Sequence, residues 1–297
     1  MTKPKLILCV GLQRSGNHAI LGWVEALFPG TVFHNDQFHD LFADESALRA
    51  RLAEHPAPCT IVSFEDSANR THAPDRLLLD SIAPLPAAVA DAYDVHRLVI
   101  LRDPYNTWAS RVAANARTAE FGRPLTSNPS WDLYRENWLR LAALDADPDW
   151  QVILFNRWKD DTGYRRAICD ALGGTYGEEA LDQVSHRGGG SSFEGVPRPS
   201  YLGMLRQFPK YLSGPFLRRL TANPAYYVKR FIAPPAKGST MQVDKRWTTL
   251  IGKPESAALL ADPDLRAVTA RLFGAKALPP EPEMAPDTGT GSGSAAA

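Results

Sequence analysis

The run Lys5 to Gly11 is apolar, has no helical period and stops on a glycine. A short apolar run of this kind reads as a strand buried on both faces. The chain then passes through Leu12-Gln13-Arg14-Ser15-Gly16-Asn17-His18 into a stretch where Ile20, Trp23, Val24 and Leu27 recur at helical spacing, closed by Pro29-Gly30. A strand, a glycine-bearing loop and a helix in that order constrain the fold more than any other feature. Such a loop faces outward from the sheet end and presents free backbone N–H groups at the positive end of a helix dipole, a setting suited to an anion. Gly16 lets the backbone approach closely, Arg14 adds charge, and Ser15, Asn17 and His18 add polar side chains. The spacing Gly11-x-x-x-x-Gly16 is that of a phosphate loop, but Asn17-His18 stands where Lys-[Ser/Thr] would follow. The hydroxyl that holds Mg²⁺ in such loops is therefore absent, and an anion site follows more readily than a Mg·ATP site. The bland alternative is a helix start with an incidental glycine.

The same alternation continues. Thr31 to His34 reads as a short strand, Glu45 to Glu54 as a polar helix, and Cys59 to Phe64 as a second buried strand ending at Glu65. Arg97 to Leu101 reads as a third, ending at Arg102, with Pro104 suited to the first turn of the next helix. Trp131, Tyr134, Trp138 and Leu141 mark one face of a further helix. Gln151 to Phe155 reads as a fourth buried strand, followed by a helix running to Leu172 and stopped by Gly173-Gly174, and Leu265 to Phe273 as a last helix. Strands alternating with helices predict an α/β fold, a three-layer parallel sheet with helices on both faces. With 297 residues, 44% hydrophobic and 22% charged, the chain is long enough to bury a core without disulfides or metals. One α/β domain over 1–278 is expected, with 197–253 a basic, less regular insertion and 279–297 a tail too poor in apolar residues to order itself.

Cys9, Cys59 and Cys169 are scattered in apolar stretches with no CxxC spacing, which reads as free buried thiols in a reducing compartment. No metal-ligand spacing is present. No stretch approaches the ~20 apolar residues of a membrane span, and Leu6 to Leu12 is too short for a signal-peptide core. A cytoplasmic location is the expectation. Lys and Arg together number 33, as do Asp and Glu, yet Arg198 to Lys253 holds eleven bases and one acid, Asp244. That segment is either a solvated basic face or a site for anionic ligands or an anionic membrane surface.

Arg102 stands at the carboxyl end of a strand, where open α/β sheets bind ligands, and Ser110 follows eight residues later. If the helix starts near Pro104, the two can close on one phosphate. The alternative is an Arg paired with Asp103 and a Ser on the helix surface.

Taken together, Arg14-Ser15-Gly16-Asn17-His18 and Arg102…Ser110 resemble the two nucleotide-binding motifs of the sulfotransferases that use 3′-phosphoadenosine 5′-phosphosulfate (PAPS). The resemblance covers the architecture from residue 5 to about 275 and implies a P-loop NTPase-like sulfotransferase fold. It implies that the first motif holds the 5′-phosphosulfate and that Arg102 and Ser110 hold the 3′-phosphate. Asn17-His18 departs from the family's hydroxyl pair, and Ala19 stands where cytosolic members carry a Trp that stacks on adenine. Phe64-Glu65-Asp66-Ser67-Ala68 resembles the Glu-Lys-Ser-Ala stretch of carbohydrate-type members, with Asp66 in place of the base. This implies Glu65 as the proton acceptor, with His18 and His72 as rivals. Lys237-Gly238-Ser239 and Asp244-Lys245-Arg246-Trp247 resemble the family's late loop over the 3′-phosphate.

The implied activity is metal-free sulfuryl transfer from PAPS to a hydroxyl or amine, with a glycan or glycolipid suggested by the carbohydrate-type Glu65. Arg14 would stabilise charge on the leaving group. Two other readings stay open: a P-loop-like nucleotide-binding protein or kinase relative, and a non-catalytic module docking on a membrane or polyanion through the aromatic-interleaved basic segment. Nucleic acid is not expected as a partner.

Overall fold

The structure, a computed structural model, describes residues 3–67, 75–120, 125, 127–178, 181, 221 and 245–280. Five parallel strands form one sheet: β1 (Lys5–Gly11), β2 (Val32–His34), β3 (Cys59–Glu65), β4 (Asp94–Leu101) and β5 (Gln151–Leu154), in the order β2-β3-β1-β4-β5. The described helices are α1 (Asn17–Ala26), α2 (Glu45–Glu54), α3 (Leu78–Ser81), α4 (Ala87–Ala92), α5 (Pro104–Glu120), α6 (Trp131–Ala143), α7 (Phe155–Asp160), α8 (Thr162–Leu172), α9 (Pro254–Ala261) and α10 (Pro263–Phe273).

Alternate residues of the central strand enter two different cores, which is what a strand of period two must do. Ile7 and Cys9 pack with Ile20, Trp23 and Val24 of α1 and with Trp158 and Ile168 of α7 and α8. Leu6 and Leu8 face the opposite layer against Leu48 and Leu52 of α2. Val10 joins that side too, with Tyr105 and Trp108 of α5 and Trp138 of α6. The result is the expected α/β arrangement, a parallel sheet with helices on both faces. All three cysteines are buried and free, and burial raises each thiol's pKa above its ordinary value.

The topology positions the site. After β1 the chain turns towards β2 through α1 on one face; after β4 it turns towards β5 through α5 on the other. Adjacent strands whose connections diverge leave a crevice at their carboxyl ends, the place where open α/β sheets take ligands.

Several sequence-based boundaries need correction. β4 begins at Asp94, earlier than expected, because its polar first residues pair with the start of β1 (Asp94 N–H to Pro4 O, 2.9 Å). Phe155 opens α7 and is not the end of the strand: β4 stops at Leu101, opposite Leu154, so Phe155 has no ladder partner. The helix expected to run on to Leu172 is broken at Asp161, whose extended backbone ends α7 and whose carboxylate caps α8 by accepting from Tyr164 N–H at 2.9 Å. Helix α9 was not anticipated. The glycine-rich loop 188–192, His72, Lys237, Gly238, Ser239 and Asp244, and the chain beyond 280 lie outside the described residues.

Candidate active site

Gly11 of β1 is in register with Glu65 of β3 on one side and Ile100 of β4 on the other. The loop after β1, Glu65, and Arg102 are thereby brought side by side at the carboxyl ends of three adjacent strands.

The loop is held by features that only its sequence permits. Gly16 has φ 94°, and a Cβ there would lie 2.2 Å from the Phe155 ring. Arg14 also has a positive φ, 75°, uncommon for a residue with a side chain. Strain of that kind is retained where the surroundings enforce it, often at ligand sites. Enforcement comes from Asp66, whose carboxylate accepts from Gln13 N–H at 2.7 Å and from Arg111 Nη1 at 2.5 Å. The Gln13 side chain is tied on both sides, to Ser67 Oγ and Ser127 Oγ. Ser15 is fully buried, and its Oγ has no hydrogen-bond partner among the described residues. His18 Nδ1 is likewise buried without one. Burial, and then the Arg14 charge, hold the His18 imidazole below its ordinary pKa. Orphaned polar atoms at a ten-residue helix's N-terminus carry a desolvation cost that an anionic ligand would relieve.

Arg102 is 2% exposed, and its Nη1 reaches the Arg14 carbonyl at 3.4 Å, so the two loops are in contact. Its guanidinium lies 5.5 Å from the centroid of the Phe155 ring, the same ring that packs on Gly16. Asp103 lies 3.9 Å from Arg102 Nε, but its carboxylate also caps α5 through Asn106 N–H (2.8 Å) and binds Asn156 Nδ2 (3.1 Å). Ser110 is no surface residue: it is 3% exposed, and Arg246 Nη1 donates to its Oγ at 3.3 Å. Arg246 belongs to a short 3₁₀ helix, Arg246–Leu250, anchored on α5 by Trp247 N–H donating to Asn106 Oδ1 at 3.1 Å. The Trp247 side chain packs on the apolar cluster around α5 and α6.

Glu65 is only 7% exposed, because it ends a strand flanked on both sides and lies under the Asn17 side chain. Burial first, then the nearby Asp36 and Asp66 carboxylates, push its pKa up to about 8, opposed by the Asn17 amide and the Arg14 charge. Asn17 Nδ2 donates to Glu65 Oε1 at 3.0 Å and to Leu12 O at 3.1 Å. His39 Nε2 meets the Glu65 carbonyl at 2.8 Å, and its Nδ1 meets Ser81 Oγ at 2.7 Å, fixing the strand end.

The structure thus groups Arg14, Ser15, Gly16, Asn17, His18, Glu65, Arg102, Ser110, Arg246 and Trp247 around one strand-end crevice. Sequence reading missed Phe155, Asp66 and Gln13. Asp66 read only as a departure from a motif, although an acid directly after a strand end was the available signal. Among the described residues no group of His, Cys, Asp or Glu is placed to hold a metal, and no helix is long and apolar enough to cross a membrane.

A Gly16→Ala variant is expected to lose about 2–4 kcal/mol of stability, from overpacking against Phe155 and a left-handed backbone. Thermal melting checks this; an unchanged melting temperature would place the loop elsewhere.

No protein-family model matches the chain, and no curated protein matches it. Among solved structures it is similar to mouse sulfotransferase SULT7A1 complexed with PAP (17% identity, TM-score 0.39, covering 61% of this chain and 62% of that one). It is also similar to a sulfotransferase from Alicyclobacillus acidocaldarius (19%, TM-score 0.38, 75% and 96%). A third is the sulfotransferase domain of the Synechococcus PCC 7002 olefin synthase (14%, TM-score 0.40, 84% and 96%). The chain spans less than two thirds of the mouse protein. At these scores the likeness carries no weight of its own.

Proposed function

We propose that the chain is a sulfotransferase that moves the sulfuryl group of PAPS to an acceptor hydroxyl or amine. The observation that supports it best is the meeting of two anion-suited loops in one crevice. Arg102 touches the Arg14 loop, and Ser110 with Arg246 continues the same basic wall. The buried polar atoms of Ser15 and His18 suit a phosphosulfate at the start of α1. Beyond it, Arg102, Ser110 and Arg246 suit a second, 3′-phosphate. Lys237 and Gly238, outside the described residues, are proposed to close over it, and Trp247 to support Arg246.

In the proposed reaction the acceptor oxygen or nitrogen attacks sulfur in line. The new bond to sulfur forms as the sulfur–oxygen bond to the nucleotide breaks, and adenosine 3′,5′-diphosphate (PAP) leaves with that electron pair. Glu65 takes the acceptor's proton. Arg14 and the N–H groups of Gly16 to His18 face the charge that grows on the leaving oxygen, a positioning and electrostatic contribution, while the Ser15 N–H is held by Leu12 O at 3.1 Å. The resemblance of the Glu65 stretch to that of carbohydrate-type members makes a glycan or glycolipid the first acceptor class to try. A cytoplasmic location, at a membrane periphery through the basic segment 198–253, accompanies the proposal.

The test is calorimetric titration in the presence of a chelator. PAP is expected to bind much more tightly than adenosine 5′-monophosphate, because only PAP fills the Arg102 end. Equal affinity would favour a kinase-like nucleotide protein, and no binding of either would favour a non-catalytic module. Arg14→Ala is expected to weaken PAP binding roughly tenfold to a hundredfold, the scale of a lost charge-assisted contact. Unchanged affinity would remove Arg14 from the nucleotide site.

A further inference from the structure

The side chain at position 17 occupies the loop position where sulfotransferases carry a nucleotide-binding hydroxyl, yet here it points elsewhere. Both Asn17 amide hydrogens are committed inside the protein, one to Leu12 O at 3.1 Å and one to Glu65 Oε1 at 3.0 Å. Leu12 O can only accept, so it fixes which end of the amide is nitrogen. Asn17 is 5% exposed. Space for its amide exists only because position 11 is glycine: a Cβ on Gly11 would lie 2.3 Å from Asn17 Oδ1. Gly11 is the register partner of Glu65, so the amide crosses from one strand end to the next directly over its target. Glycine 11, asparagine 17 and glutamate 65 thus form one assembly.

We infer that Asn17 is a positioning residue for the proton acceptor, holding one oxygen of the Glu65 carboxylate, while only its backbone N–H serves the nucleotide. The inference rests on the sulfotransferase reading and deepens it. A carboxylate anchored through Oε1 has its rotation stopped, which leaves Oε2 to receive the proton of the attacking hydroxyl or amine as the new bond to sulfur forms. The donated hydrogen bond also favours the ionised form, the form a base requires, against the burial that opposes it. The hydroxyl pair of the family has no donor long enough for this task; an amide nitrogen one bond further out reaches the neighbouring strand.

Carboxyl titration by NMR tests this without any acceptor. In protein labelled with carbon-13 and nitrogen-15, the Glu65 carboxyl is identified as the signal missing from Glu65→Gln. Its midpoint is expected near 8 in the wild type. In Asn17→Ala it is expected to move up by roughly one pH unit, the worth of one hydrogen bond to a charged group. The affinity of Asn17→Ala for PAP is expected to stay within roughly threefold of wild type, since the backbone N–H is retained. If Asn17→Ala does not fold, the wild type suffices: the Asn17 side-chain amide signals should titrate with the Glu65 midpoint and cease to do so in Glu65→Gln. An unchanged carboxyl midpoint, or amide signals indifferent to Glu65, overturns the inference. So does a tenfold or greater loss of PAP affinity in Asn17→Ala, which would return the side chain to the nucleotide. Failure of the wild type itself to bind PAP is a separate result: it removes the sulfotransferase reading, and the catalytic role with it, whatever the titration shows.

Discussion

Glu65→Gln is expected to lower turnover by about 10²–10⁴-fold, the usual contribution of a positioned proton acceptor, with PAP affinity nearly unchanged. The substitution keeps the shape and the buried position and removes only the capacity to take a proton. Because burial and two neighbouring carboxylates push the Glu65 pKa up to about 8, wild-type turnover should rise with pH and level off above that value. The same shift fixes the sign of a stability effect. Between the ordinary carboxylate range and about 8, folded Glu65 keeps a proton that the unfolded chain has lost, so stability falls as pH rises through that window. The melting temperature of Glu65→Gln should therefore exceed that of wild type by more at pH 9 than at pH 5. Turnover that survives in Glu65→Gln but is abolished in His18→Ala or His72→Ala would move the base to a histidine, and the suggestion of a glycan acceptor would go with it.

Arg102→Ala is expected to erase most of the preference for PAP over adenosine 5′-monophosphate, by roughly tenfold to a hundredfold, through loss of PAP affinity. The ratio is the informative quantity. Arg102 also contacts the Arg14 carbonyl and the Phe155 ring, so its removal loosens the first loop and weakens both ligands together. Only the 3′-phosphate separates the two. A variant that keeps the wild-type preference while binding both ligands more weakly would reduce Arg102 to a support of the first loop, and Arg246 with Ser110 would then carry the 3′-phosphate.

The two anion-suited loops were legible because each is a local pattern. An apolar run ending in glycine, followed by helical spacing, specifies strand, loop and helix from short-range sterics and periodicity alone. The polar helix at Glu45–Glu54 and the strand ending at Glu65 were legible for the same reason. Where local pattern is ambiguous the reading slipped. Phe155 is apolar and follows an apolar run, so nothing in its neighbourhood marks it as the first residue of a helix; only the end of β4 opposite Leu154 does. That slip hid the ring against which Gly16 and Arg102 both pack.

By itself the sequence determined the units: which segments are strands, where glycine frees the backbone, and which charged residues stand at strand ends. The tertiary structure decided the partnerships. Asn17 and Glu65 are 48 residues apart, Asp66 and Arg111 are 45, and Ser110 and Arg246 are 136. The physical reason lies in the parallel sheet. Its strand order and register set which carboxyl ends become neighbours, and that choice is made by long-range burial of alternating faces in two cores. A loop sequence can announce that it suits an anion. Whether its asparagine faces the anion or the glutamate beside it depends on β3 lying next to β1, with Glu65 brought level with Gly11.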